Sequence, residues 1–361
     1  MGSEIAPGVP AGLELGLRNY WYPLLPSAEL GASPVAVTAL GEDLVVWRSA
    51  DGQPRVFADV CPHRAARLSL GAVRAGELQC AFHGLRFDGS GHCAGIPWEP
   101  DGSSVQAELA ATAYPAMEVA GLVFAFLGDL EPPPPRSELP AELWDPDCTG
   151  FILAETWQAN WINATDGSDL FHVPFLHASS AMPPESRAEG GRSMKVNKTR
   201  SKFGLDMRVT DDAGRELFTG QVAEPDFVDE GFFLPGLLGI SIQPRPDLQP
   251  FHVYLWMFPI AAERTRVTRW VCRRTPTDQD REAWRRYWLE EGGRDRILGI
   301  SAEDRRIAES LRSLQFARAH EHLLAPDAEV YRRRVLLRDA FLAQREGRRL
   351  VAAPKSSCPA T

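Results

Sequence analysis

A chain of 361 residues, 44% apolar and 24% charged, has the length of about two domains and ample material for a core. Its formal charge of −9 speaks against nucleic acid or an anionic membrane as partner, and no run approaches the ~18 apolar residues of a membrane span. Six cysteines are too few for a disulfide scaffold, and the opening MGSEIAPGVPAG lacks the basic start and apolar core of a secretory leader, so a cytoplasmic protein with unpaired thiols is expected.

Residues 13–30 carry the aromatic run Asn19-Tyr20-Trp21-Tyr22-Pro23, read as packing. Short strands follow: Val35–Ala39, Leu44–Arg48 after the turn Gly41-Glu42-Asp43, and Arg55–Asp59 after Asp51-Gly52. Asp88-Gly89-Ser90-Gly91 reads as a hairpin turn, and Met117–Val119 with Leu122–Leu127 close a small all-β domain over residues 18–130. The four prolines of Glu131-Pro132-Pro133-Pro134-Pro135-Arg136 mark a semi-rigid linker over 131–150. A second domain, 151–350, opens with a strand at Phe151–Trp157 and a helix at Asn160–Asp169. Alternating segments at Ser193–Thr199, Phe203–Thr210, Glu216–Val222, His252–Ile260 and Arg266–Arg273 predict an antiparallel sheet. Helices are expected at Glu282–Glu291, after the start signal Thr277-Asp278-Gln279-Asp280, and at Ser301–Leu323 and Glu329–Arg348. The fold class is therefore α+β: an all-β domain, a linker, then a sheet with helices.

Two stretches carry chemistry. Cys61-Pro62-His63 and Cys80-Ala81-Phe82-His83 read C-x-H, a gap of 16 residues, then C-x-x-H. Two thiolates and two imidazoles in this order are the ligand set of a Rieske 2Fe-2S centre, two Cys on one iron and two His on the other. Neutral imidazoles in place of two thiolates remove negative charge and raise the reduction potential. Structural zinc also accepts two Cys and two His, but usually from a Cys pair followed by a His pair, whereas each pair here mixes the two.

Downstream, Asp169-Leu170-Phe171-His172-Val173-Pro174-Phe175-Leu176-His177 reads D-x-x-H-x4-H. Two imidazoles five positions apart can meet one metal if the turn between them is not a regular helix, and Pro174 disfavours helix in the residue before it. Two His with one carboxylate on one face of a metal, the opposite positions open, is the non-haem Fe(II) arrangement. Alone, the pair reads equally well as ordinary polar or core histidines.

CPHRAARLSLG, CAFHGLRFDGSGHCAGIP and NW…D-x-x-H-x4-H together resemble the Rieske non-haem iron oxygenases, aromatic-ring-hydroxylating alpha subunits of the phthalate-type, demethylase-like homotrimeric branch. The resemblance implies a terminal oxygenase holding one 2Fe-2S cluster at Cys61, His63, Cys80 and His83, and one mononuclear iron at His172 and His177. A third ligand is implied by a late-helix pattern like E-D-x-x-I-x-E, matched by Glu303-Asp304-Arg305-Arg306-Ile307-Ala308-Glu309. That assigns Asp304, with Glu303 as substitute. Ser301 would equally make these acids first-turn residues behind an N-cap, and the expected buried stripe Ile307, Leu311 and Leu314 leaves Glu303 and Asp304 equally placed. Asp169 is implied to bond a ligand His and link it to a Rieske His of a neighbouring subunit; otherwise it is a surface acid at a helix end. This chain departs from one branch's NWxQAxEGxxDxxH: Asn163 and Asp166 replace the Gln and Glu, and only Ser168 separates Gly167 from Asp169. Dioxygen, a small aromatic substrate, a ferredoxin or flavin reductase and a homotrimer complete the expectation. No G-x-G-x-x-G follows a strand, so the nicotinamide would bind elsewhere. An electron carrier using the cluster alone, or a non-catalytic zinc protein, are the alternatives.

Overall fold

A computed structural model of the chain describes residues 9–167, 172–177, 194–201, 204–211, 216–223, 232–242, 250–311, 313, 320–324 and 327–350. The chain divides into two compact units, one spanning Leu17–Pro135 and the other combining the stretch up to Gly16 with everything from Arg136 onward. In the second, the Leu13 carbonyl accepts from the Trp161 indole N–H at 2.9 Å. Among the described residues no helix is long and apolar enough to cross a membrane.

The first unit is built of β1 (Tyr20–Pro26), β2 (Val35–Ala39), β3 (Glu42–Arg48), β4 (Pro54–Ala58), β5 (Ala72–Arg74), β6 (Glu77–Gln79), β7 (Arg86–Phe87), β8 (Cys93–Gly95), β9 (Ala113–Tyr114), β10 (Ala116–Val119) and β11 (Leu122–Leu127), with one short helix, α1 (Ser104–Glu108). They form three sheets ordered β1-β11-β10, β2-β3-β4-β9 and β5-β6-β7-β8. The aromatic run near residue 20 is thus a strand as well as packing. It pairs antiparallel with β11, whose six residues are all buried, so β11 shows no alternation because neither face meets water. The remaining core gathers Val45, Trp47, Phe57, Leu78 and Phe87 around the thiols of Cys61 and Cys80.

The second unit carries one eight-stranded antiparallel sheet among the described residues: β12 (Cys148–Trp157), β13 (Met194–Ser201), β14 (Gly204–Asp211), β15 (Glu216–Ala223), β16 (Phe232–Phe233), β17 (Leu237–Ile242), β18 (Phe251–Ala261) and β19 (Arg264–Arg274). Its order is β12-β19-β18-β17-β15-β14-β13, with β16 beside β17. β16 and β17 escape the sequence reading because Phe232–Leu238 is a continuous apolar run with no period-2 signal. On one face Phe151, Leu153, Phe251, Val253 and Val271 pack against Trp284, Tyr287 and Trp288 of α4 (Asp278–Leu289) and Ile297 of α5 (Gly293–Ser310). Further along, Trp157, Met257 and Val267 meet Ala164 of α2 (Trp161–Asp166) and Ala308 of α5. A single turn, α3 (Val173–Leu176), and a long helix, α6 (Ala328–Arg345), complete the unit.

Thr277 and Asp280 form a reciprocal capping box at the start of α4, as their spacing suggests. The expected helix over Ser301–Leu323 is corrected. α5 starts at Gly293, behind Gly292 with φ 84°, and ends at Ser310. Ser301 is therefore a buried mid-helix residue, not a cap, and Glu303 and Asp304 lie well past the first turn. The buried stripe is also corrected. Ile297, Ser301 and Ala308 face the sheet, whereas Ile307 and Leu311 are 45% and 46% exposed. Beyond Ile297 small side chains line the packed face, so a search for bulky residues after Ser301 picks the wrong side. Spacing i, i+4, i+11 from Ile297 through Ser301 to Ala308 puts Asp304 on this inward face, at i+7.

Candidate metal centres

In the first unit the two ligand loops are copies of one backbone design. The Cys61 N–H donates to the Ala66 carbonyl at 2.8 Å and the Cys61 carbonyl accepts from the Ala65 N–H at 2.9 Å. Around Cys80, Leu85 and Gly84 take the same places, at 2.8 and 3.0 Å. Both turns close through a left-handed residue four positions after the cysteine, Gly84 at φ 75° and Ala65 at φ 55°. Glycine adopts this conformation freely, whereas alanine pays on the order of 1 kcal/mol. Gly71 joins the loops: a Cβ there would fall 2.0 Å from the Gln79 carbonyl oxygen, the residue before Cys80.

Both cysteines are 2% exposed, while His63 is exposed and His83 half-buried, with ring centroids 4.6 Å apart. Burial pushes the Cys61 thiol up to about 11, the neighbouring Cys80 adding to the rise while backbone N–H groups of His63 and Arg64 oppose it. Such thiols ionise when a metal takes the proton's place. Desolvation, with the charges of His63 and Arg64, lowers the His83 pKa from the ordinary histidine value. Phe82 and Trp98, each 56% exposed, lie beside these imidazoles, Trp98 5.9 Å from the His63 ring and 6.1 Å from the His83 ring.

Asp59 anchors the first loop. Its carboxylate, 2% exposed as a residue, accepts from the Ser69 N–H and hydroxyl, both at 2.6 Å, closing the segment that carries Cys61 and His63. Asp59→Ala is expected to cost about 2–3 kcal/mol, the scale of bonds to a charged acceptor. Urea unfolding would measure it, and acid-labile sulfide should fall with the loosened loop.

In the second unit the Nε2 atoms of His172 and His177 are 3.1 Å apart, and Asp304 Oδ1 lies 3.5 Å from the first and 3.0 Å from the second. Donors on perpendicular bonds of ~2.1 Å to one metal sit roughly 3 Å from each other. The three atoms therefore outline one face of an octahedron. Among the described residues this trio is the group of metal-binding side chains whose donor atoms all lie within 4.8 Å of one another. The turn between the histidines is helical after all: the Phe175 and Leu176 N–H groups donate to the His172 carbonyl at 3.0 and 2.7 Å, and Pro174 sits early in α3, where its missing donor is not needed.

Glu303 stands on the other side of His177, its Oε2 2.8 Å from Nδ1. Burial works against an imidazolium at His177, but hydrogen bonds and charge from Asp304 and Glu303 outweigh it and raise the pKa above the ordinary histidine value. A divalent cation bound here would displace that proton.

Support for the trio comes from residues to which the sequence reading gave no such role. Ser301, one turn before Asp304, donates to Glu155, which also receives Arg269 at 2.5 Å; Arg269 lies over the Trp157 ring. The available signal was Glu155 itself, an acid on the apolar side of Phe151-Leu153-Trp157. At the other end, Asn160 caps α2 through the Ile162 N–H at 2.9 Å and bonds the Ala262 carbonyl at 2.6 Å. α6 holds the last turn of α2: Arg333 donates to the Thr165 carbonyl at 2.7 Å, and Arg334 pairs with Asp166 and Glu321. Asp169, singled out from sequence, and Leu314 of the expected stripe lie outside the described residues.

The fold is that of a Rieske iron–sulfur domain followed by a ring-hydroxylase domain. The chain belongs to the family described as homotrimeric ring hydroxylase, which its residues 126–339 match, while residues 20–112 match the Rieske [2Fe-2S] domain. It is 32% identical over 215 residues to the 5,5'-dehydrodivanillate O-demethylase oxygenase subunit of Sphingobium sp. (strain NBRC 103272 / SYK-6), covering 56% of this chain and 49% of that one. It is 33% identical over 265 residues to the phenoxybenzoate dioxygenase subunit alpha of Ectopseudomonas oleovorans, covering 69% and 61%. The chain thus spans about half the length of the curated relatives it matches. The terminal oxygenase of carbazole 1,9a-dioxygenase from Nocardioides aromaticivorans IC177 shares the fold, with TM-score 0.70, 22% identity and coverage of 91% of this chain and 95% of that one.

Proposed function

We propose that this chain is the terminal oxygenase of a multicomponent system, with a Rieske unit over residues 18–130 and an oxygenase unit over 151–350 joined by 131–150. It would insert oxygen from O2 into, or oxidatively demethylate, a small aromatic substrate, as a homotrimer fed by a ferredoxin or flavin reductase. Cys93 and Cys148 form no disulfide, which supports a cytoplasmic location. The observation that carries the reading is the triangle of His172 Nε2, His177 Nε2 and Asp304 Oδ1, with edges of 3.0–3.5 Å. When bound, the cluster at Cys61, Cys80, His63 and His83 supplies electrons one at a time, and the iron at the triangle supplies open coordination for dioxygen.

The chain's own contributions follow from the geometry. The buried Cys61 and Cys80 would hold one iron of the cluster, and His63 and His83, nearer the surface, would hold the other, on the side an electron donor can reach. His172, His177 and Asp304 would hold the mononuclear iron from one side and leave the other to reactants. Glu155, Arg269 and Ser301 fix α5 against the sheet and so fix Asp304.

The test is dioxygen uptake driven by NADH through a surrogate reductase, across a panel of methoxylated, carboxylated and unsubstituted aromatics. Formaldehyde release separates demethylation from hydroxylation. Substrate-dependent uptake with oxygenated product is expected; a cluster that is reduced normally with no product from any member would make this chain an electron carrier. Asp169→Asn is expected to retain both metals and lower the single-turnover rate, as for a residue that couples the two centres.

A further inference from the structure

We propose that Glu303 is a positioning residue for the metal centre, not a ligand: it fixes the tautomer, orientation and donor strength of His177. The inference rests on the mononuclear site proposed above. The argument begins with two consecutive residues of α5 that bracket one ring. Asp304 Oδ1 meets His177 at Nε2 (3.0 Å), and Glu303 Oε2 meets the same ring at Nδ1 (2.8 Å). Glutamate has one more methylene than aspartate, and that reach takes it around the ring to the far nitrogen.

An acceptor at Nδ1 and a metal at Nε2 stand roughly 6 Å or more apart across an imidazole. Glu303 in this position therefore cannot share the metal. An ionised carboxylate can only accept, so Nδ1 must carry the hydrogen, and the Nε2 lone pair is left facing His172 and Asp304. His177 is 2% exposed, so no bulk solvent can take over this bond, and an unmet N–H would carry its full desolvation cost. A carboxylate on the distal nitrogen also makes the imidazole a stronger donor.

The test is anaerobic titration of the cluster-loaded protein with Co(II), followed by the cobalt d–d absorption, in wild type and in Glu303→Ala, Glu303→Gln, Glu303→Asp and His177→Ala. Glu303→Ala is expected to weaken Co(II) binding 10–100-fold and shift the absorption bands. Glu303→Gln keeps an oxygen at the right reach and should recover most of the affinity, whereas Glu303→Asp keeps the charge but falls short and should recover little. The Rieske electron paramagnetic resonance signal and thermal midpoint report folding in each variant. If His177→Ala binds cobalt like wild type, the metal site itself is wrong. If His177→Ala loses binding while Glu303→Ala does not, the site stands and the role of Glu303 falls. Equal loss in Gln and Ala variants would make Glu303 a ligand, and an Asp variant tighter than Gln would leave charge, not orientation, as its contribution.

Discussion

His172→Ala is expected to abolish product formation while leaving the Rieske signal unchanged. The variant removes one corner of a triangle whose other two corners, His177 Nε2 and Asp304 Oδ1, are 3.0 Å apart and cannot retain a catalytic metal against solvent exchange on their own. Iron should fall from about three to about two atoms per chain, the two belonging to the cluster. The cluster should be spared because its ligands sit on loops of another compact unit, closed by their own backbone bonds and by Asp59. His172 is half-buried and its main-chain carbonyl, not its ring, starts α3, so the substitution leaves that turn its hydrogen bonds. Parallel iron analysis, resonance spectroscopy and product assay make the separation visible. Product at the wild-type level would refute the ligand assignment, and joint loss of cluster and mononuclear iron would refute the independence of the two centres.

Arg334→Ala is expected to destabilise the second unit by about 3–5 kcal/mol, the range for removing one partner of a buried ion pair. Arg334 reaches Asp166 through Nε at 2.9 Å and Nη2 at 2.5 Å, and it also holds Glu321 at 2.7 Å. Its side chain is 6% exposed and that of Asp166 13%, so the abandoned carboxylate would face little water. Burial already raises the Asp166 pKa above the usual carboxylate range, with Arg334 and Arg333 pulling it back. A carboxylate with a raised folded-state pKa costs stability once pH exceeds its unfolded value, and that cost disappears when it is protonated. Without Arg334 the pKa rises further. The gap between variant and wild type should therefore be widest at neutral pH and narrow on acidification, as urea unfolding at several pH values would read. Arg334→Lys, which keeps the charge but not the two-pronged contact, should lie between. Asp166 ends α2, six positions before His172, so metal retention should fall with stability. A gap that is flat with pH would mean that the exposed carboxylate is not the cause.

Both predictions concern contacts that join residues far apart in the chain. The proposed metal-binding pairs themselves are local. Cys61 with His63, Cys80 with His83 and His172 with His177 each come from one turn, because two donors from one loop must converge within a few ångströms, and that demand leaves a fixed spacing in the sequence. The capping box of Thr277 and Asp280 and the strands β12, β18 and β19 are legible for the same reason, since hydrogen bonding and strand propensity operate over a few residues. Choosing between Glu303 and Asp304 depends on the phase of α5, and that phase follows from a start at Gly293 and a packed face of Ile297, Ser301 and Ala308, of which only Ile297 is bulky. The acid on the apolar side of β12 makes sense only once Arg269 and Ser301 meet it, and Arg334 only once α6 lies against α2. Local patterns named the donors; long-range packing decided which carboxylate completes the triangle, because a helix shows its neighbours one face at a time and the neighbours choose which.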